Sequence, residues 1–177
     1  MVRSVQHSKH NTIKPIAQGT LKYQTKVMGR PGPAMFTDVT LANATYETLT
    51  LSDIHNWYGT DANYPQVIPP LLPGKIKHYS DPLTGCSKGG VVYTVGNNIK
   101  WVIVWKNMRD EGNKVYIDIV APGVEIDWDS YRKLLDKSTP SPAPVYKYQY
   151  TTMATIDPSS VTPLMMATLV PPIQARF

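Results

Sequence analysis

Residues 89–135 constrain the fold more than any other part of the chain. They read as three consecutive strands followed by one short helix. The runs 91–95, 100–107 and 114–120 are rich in Val, Ile, Tyr and Trp, residues that fit a pleated, half-buried surface. Gly96-Asn97-Asn98 and Asp110-Glu111-Gly112-Asn113 separate them, and Gly and Asn turn chains because they tolerate positive φ. Asp127 then stands where it can cap a helix, with Trp128, Tyr131 and Leu135 spaced to share one face. Along the middle run, Trp101, Ile103 and Trp105 fall on one strand face and are expected in the core.

The flanking segments extend the β pattern. Runs at 35–41 and 46–53 read as strands, the second with Thr48, Thr50 and Ser52 alternating against Leu49, Leu51 and Asp53. Residues 55–73, dense in proline and aromatics, are expected to form a long loop. A strand is expected at 75–79, a single strand at 145–152 with Tyr146, Tyr148 and Tyr150 on one face, and a last apolar strand at 164–170. Sixteen prolines suit sheet edges and loops and oppose long helices. The expected fold is mainly β: an antiparallel sandwich of eight to ten strands with one short helix at about 127–137.

At 177 residues the chain is long enough for one domain with a real core. Its charge is uneven. Residues 1–30 carry six basic side chains (Arg3, Lys9, Lys14, Lys22, Lys26 and Arg30) and no acid, so the whole net charge of +5 arises there. The expected organisation is a basic arm at 1–33 and a single sandwich domain at 34–177. Such an arm attracts nucleic acid, anionic lipid or an acidic neighbour. Six charges in thirty residues is sparse for nucleic acid, which argues against that partner. No apolar run reaches the roughly 18 residues that span a bilayer, no leader is evident at the start, and Cys86 is the one cysteine. Those features point to a cytoplasmic protein.

The sequence carries no recognisable catalytic or cofactor motif. One Cys and four His make no metal-ligand spacing, and no cofactor is expected. Gly85-Cys86-Ser87-Lys88-Gly89-Gly90 has the wrong spacing for a phosphate loop and reads as a turn before a strand. Cys86 beside Lys88 is better read as a small buried residue than as an activated thiol. Neither His55 nor His78 has an evident nucleophile beside it in sequence. Asn43-Ala44-Thr45 matches the glycosylation acceptor pattern, which without a leader is read as chance. What remains is aromatic: Trp57 and Tyr58 stand in a proline-rich segment, and Trp128 and Tyr131 start the helix. Rings of this kind suit lipid headgroups, sugars or choline-like cations.

Several short blocks carry a resemblance. His55-Asn56-Trp57-Tyr58-Gly59, Tyr64-Pro65, Gly90-Val91-Val92-Tyr93, Trp101-Val102-Ile103-Val104-Trp105 and Ile126-Asp127-Trp128-Asp129-Ser130-Tyr131 follow one another as in small plant jasmonate-induced proteins. More distantly, the chain resembles the actinoporin-like and fungal-lectin β-sandwich family, through Pro73-Gly74-Lys75 onward. That resemblance implies a non-catalytic protein that recognises a membrane lipid headgroup or a glycan, in stress or defence. The positions it places at the ligand are Tyr58, Lys106, Met108, Trp128 and Tyr131, to which the loop aromatic Trp57 is added. The chain departs from the actinoporin pattern at 108–113, which lacks aromatics, and at Arg132-Lys133, where paired tyrosines are the pattern. A second reading is a structural, self-assembling homo-oligomer held by the basic arm and the apolar last strand.

Overall fold

The computed structural model describes residues 35–60 and 63–171. The basic arm expected at 1–33 lies outside the described residues. Ten strands and one helix follow in order: β1 (Phe36–Asn43), β2 (Leu49–Tyr58), β3 (Val67–Ile68), β4 (Pro73–Tyr79), β5 (Cys86–Val95), β6 (Ile99–Met108), β7 (Glu111–Val120), α1 (Trp128–Lys137), β8 (Val145–Lys147), β9 (Tyr150–Ile156) and β10 (Leu164–Val170). They form two five-stranded sheets, ordered β4-β1-β10-β9-β8 and β3-β2-β5-β6-β7. The expected sandwich with one short helix is the architecture found.

The period-2 alternation of each strand decides which side chains face the core. Val91, Tyr93, Trp101, Ile103, Trp105, Val115, Ile117 and Ile119 meet Val39, Leu41, Ile76, Ala154, Met165 and Leu169 of the other sheet in one main core. β5 and β6 are buried on both faces, because a second core lies on their outer side. There Val92, Val102 and Val104 pack beneath Tyr131 and Leu135 of α1. Asp127 caps the helix, its Oδ1 accepting from the backbone N–H of Asp129 and of Ser130, each at 3.1 Å.

Buried polar side chains cross between the sheets. Trp101 Nε1 donates to Thr152 Oγ1 at 2.8 Å. Thr37 and His78 come from one sheet and Asn56 and Ser87 from the other. Ser87 Oγ lies 2.8 Å from both Thr37 Oγ1 and His78 Nδ1, and His78 Nε2 lies 3.0 Å from Asn56 Oδ1. Thr37, His78 and Ser87 are buried and Asn56 is exposed, so the four form a polar seam running from the interior to the surface, where satisfied hydrogen bonds fix one arrangement.

Several expectations need correction. Residues 55–58 are not loop but the second half of β2, which pairs with β5 through two bulges, at Leu51/Asp53 and Asn56/Tyr58. The bulges let a polar and aromatic stretch stay in the ladder. The turn before β5 ends at Gly85, so residues 86–90 are strand. The segment 145–152 is two strands, not one. Tyr148 and Gln149 adopt left-handed φ of 51° and 67° and reverse the chain between β8 and β9, which leaves Tyr146 and Tyr148 exposed while Tyr150 is buried. The sheets are not wholly antiparallel, since β1 and β10 run parallel. β10 therefore sits between β1 and β9 with both edges paired; as an interior strand it offers no edge to another subunit.

Asn43 shows how one buried amide fixes a whole end of the sandwich. Its Nδ2 donates to the carbonyls of Glu47 (2.9 Å), Ile68 (3.3 Å) and Pro69 (2.9 Å), and its Oδ1 accepts from the Thr45 N–H (3.0 Å) and hydroxyl (2.7 Å). The residue is buried, so it offers no accessible glycosylation acceptor. Replacing it with Ala leaves these carbonyls without their donor; Asn43→Ala is expected to lose about 2–4 kcal/mol in urea unfolding.

Candidate functional site

The outer face of the helix-bearing sheet carries the candidate site, and Gly90 determines its shape. A Cβ at position 90 would lie 2.6 Å from both Trp128 Cζ3 and Val104 Cγ1. With only hydrogen there, the Trp128 ring lies against the strand. It meets two residues of β2: His55 stacks on it at 5.2 Å with 17° between planes, and Trp57 meets it edge-on at 5.9 Å and 81°. His55 also touches Trp57 at 4.7 Å. Trp128 Nε1 donates to Asp53 Oδ2 at 3.0 Å, which fixes the ring at its outer edge. Tyr131 follows one turn on, 6.3 Å from Trp128. These contacts are the offset and edge geometries that ring quadrupoles favour.

Polar groups surround this slab. The Tyr131 hydroxyl donates to Asp118 Oδ2 at 3.2 Å, and burial first, then the Asp118 charge, pushes its ionisation well above the usual tyrosine range. Lys88 and Lys106 face each other across β5 and β6 and are only 3% and 6% exposed. Lys88 Nζ reaches Asp136 Oδ1 at 2.9 Å and stands 5.6 Å from the centre of the Trp57 ring. Lys106 Nζ pairs with Glu111 and, at 3.4 Å, with Asp136. Asp136 lies in the last turn of α1, where the helix dipole disfavours a carboxylate; the two ammonium groups more than offset that. Trp57 Nε1 is buried and has no hydrogen-bond partner among the described residues.

The six residues singled out in the sequence thus separate into a slab and a margin. Trp57, Trp128 and Tyr131 come together, the first two half-buried and the third buried. Lys106 lies at the far end of the same face, inside an ion-pair network. Tyr58, half-buried, pairs with Lys88 at the end of β2, and Met108, half-buried, ends β6. His55 completes the slab. Sequence spacing did not select it, although position 55 precedes Trp57 by two and so shares its strand face. Lys88 and Asp136 were also missed, because only pairing of β5 with β6 and the docking of α1 bring them together.

The reactive side chains sit elsewhere. Cys86 is buried, and burial pushes its thiol up to about 11 in spite of Lys88 and Lys106 nearby. His78 does have a hydroxyl beside it, that of Ser87, and Asn56 on its other nitrogen. The sequence concealed this because the pair spans the two sheets. Ser87 and His78 are fully buried, and of the trio only Asn56 reaches the surface. Among the described residues no three His, Cys, Asp or Glu side chains cluster as a metal site. No helix among them is long and apolar enough to cross a membrane.

Comparison with known proteins bears on the fold. The fold is that of a lipid-binding protein, Nakanori (TM-score 0.71, 16% identity, covering 78% of this chain and 72% of that one). It is similar also to the lectin XCL of Xerocomus chrysenteron (TM-score 0.51, 8% identity, covering 76% of this chain and 99% of that one). In sequence the chain is 32% identical over 111 residues to a jasmonate-induced protein homolog of Atriplex canescens, an overlap of 55% of this chain and 59% of the relative. The chain thus spans less than two thirds of that relative's length. The two resemblances carried by the residue blocks are both found. No family model matches the chain.

The ion-pair network sets a pH dependence. For Asp136, burial raises the carboxyl, but the Lys88 hydrogen bond and the Lys88 and Lys106 charges outweigh it, and the group ends lowered from 3.8. The Lys106 hydrogen bond and charge hold Glu111 below its usual 4.5. The stabilisation from both carboxylates is therefore complete above the ordinary carboxylate range and fades as pH falls through their lowered values. Asp136→Asn is expected to lose about 1–3 kcal/mol at about pH 7, a buried-pair effect discounted for the exposure of Asp136. In urea unfolding the gap to wild type should narrow at about pH 3.

Proposed function

We propose that the protein is a recognition module which binds a lipid headgroup or a glycan on the slab formed by His55, Trp57 and Trp128, without catalysis. Tyr58, Lys106, Met108 and Tyr131 form the margin of the site. The observation that carries this reading is the Trp57 indole, a ring in contact with solvent whose buried N–H has no acceptor among the described residues. Buried donors are rarely left so. A second point narrows the ligand. The Lys88 ammonium already stands over the Trp57 ring, in the position a quaternary ammonium would take. The slab therefore suits a ligand that brings hydrogen-bond acceptors, such as a phosphate ester or sugar hydroxyls, more than a bare choline-like cation. The two proteins of similar fold, one lipid-binding and one a lectin, support the same pair of ligand classes. The relative named for jasmonate induction supports a place in an induced stress or defence response.

Binding to lipid vesicles of defined headgroup and to a glycan array tests the proposal. The wild-type protein is expected to bind at least one class. Trp57→Ala/Trp128→Ala is expected to weaken that binding about thirtyfold, the ~2 kcal/mol of an aromatic hot spot, while the thermal transition remains cooperative. A folded wild-type protein that binds neither class contradicts the proposal.

A further inference from the structure

A separate surface lies at the other end of the sandwich. Tyr58 and Met108 mark one end of the helix-bearing sheet. Leu49, paired with Val95 and Ile68, marks the opposite one, about 30 Å away at strand spacing. Beyond Ile68 the chain runs Pro69-Pro70-Leu71-Leu72-Pro73. Leu71 and Leu72 are 60% and 52% exposed, and Tyr46, which the Asn43 clamp holds on the same end, is 77% exposed. Leu71 has a φ of +60°, a left-handed conformation that a branched side chain rarely adopts. Such strain persists only where the surroundings impose it. Here they do, since the Leu71 N–H donates to the Thr45 carbonyl (3.2 Å), the Leu72 N–H to the Pro69 carbonyl (3.3 Å), and the Asn43 N–H to the Leu72 carbonyl (3.3 Å). Behind the leucines lies a recess of about 380 Å³ lined by Ala42, Ala44 and Pro73 among others.

The backbone chemistry of this tip selects its partner. Positions 69, 70 and 73 are prolines and have no N–H. The two N–H groups that remain are both bonded within the protein. Every backbone donor from 69 to 73 is thus already removed from water or absent. That condition matters most in hydrocarbon, where an unsatisfied donor has no substitute partner. Tyr46 adds an amphipathic ring of the kind that settles at a membrane interface. Lys75, exposed, stands three residues beyond Leu72, about 10 Å by strand rise, a depth at which an ammonium group suits lipid phosphates. The acidic neighbour, Glu47, lies over the Gly96 turn.

We infer that Leu71 and Leu72, with Tyr46 beside them, form a preformed apolar wedge that enters the interfacial layer of a lipid bilayer. The wedge shares no residue with the aromatic slab, so the two readings stand or fall separately.

Sedimentation with vesicles of phosphatidylcholine, alone and mixed with phosphatidylserine, is the test. Leu71→Gly/Leu72→Ser removes the apolar groups and relieves the left-handed strain, so its melting temperature should equal or exceed that of wild type. Its vesicle partitioning should fall about tenfold or more. A second readout uses Leu72→Cys bearing a polarity-sensitive dye, Cys86 being buried; its emission should shift to the blue on vesicles. Wild-type protein that does not partition, or partitioning that survives in the folded double variant, overturns the inference. So does a dye that does not respond to vesicles. A dimer in light scattering that the double variant dissociates, with partitioning unchanged, would assign the tip to a second copy of this chain and likewise overturn it.

Discussion

With no side chain at position 90, the Trp128 ring comes down onto the middle of β5, and the arrangement of the outer face follows from that contact. The close approach sets the height of α1 above the sheet. It lets Tyr131 and Leu135 reach Val92, Val102 and Val104, so that strands already buried on the sandwich side are buried on their second face as well. It also brings a helix ring within reach of His55 and Trp57. A methyl group at this position would force either the ring or the strand to move, and close-packed interiors resist such movement.

The same docking has an electrostatic consequence at the far end of the helix. Two nearly buried lysines directly across a strand pair would repel each other, and each would bear a desolvation penalty alone. Asp136 meets both, and Glu111 meets Lys106 from the start of β7. The helix is thus fixed at one end by an aromatic contact that needs a glycine and at the other by a carboxylate that needs lysines. The aromatic slab includes the first of these anchors and so rests on a rigid support, the condition under which a binding surface keeps its shape without ligand.

Much of the scaffold was legible because it rests on local rules. Alternation placed Trp101, Ile103 and Trp105 in the core, and the Asp127 cap with the Trp128, Tyr131 and Leu135 spacing placed the helix and its buried face. What was not legible depended on partners distant in sequence or on backbone conformations without a marker residue. The reversal at Tyr148-Gln149 carries no glycine, so the tyrosine alternation looked unbroken. β2 runs on through residues 55–58 because two bulges absorb the misfit, and bulges leave no reliable trace in composition. The polar seam joins Thr37, Asn56, His78 and Ser87 from four strands in two sheets, a juxtaposition that only the folded topology creates. Of the site, the rings of Trp57 and Trp128 were recognisable by type; that they touch, and that His55 touches both, was not.

The claim at the centre of this account is that the slab around Trp57 is a working surface and not merely the lid of the second core. The protein has four tryptophans, and their indole N–H groups are in distinct states. That of Trp101 is bonded to Thr152 and that of Trp128 to Asp53, while those of Trp57 and Trp105 are buried without a partner among the described residues. Nitrogen–proton correlation spectra recorded during titration with glycerophosphate esters and with soluble oligosaccharides resolve the four directly. The account predicts that the Trp57 resonance moves downfield as an acceptor reaches it, that Trp128 follows, and that Trp101 and Trp105 stay in place. A ligand that binds by an independent measurement yet leaves the Trp57 and Trp128 resonances unmoved would contradict it.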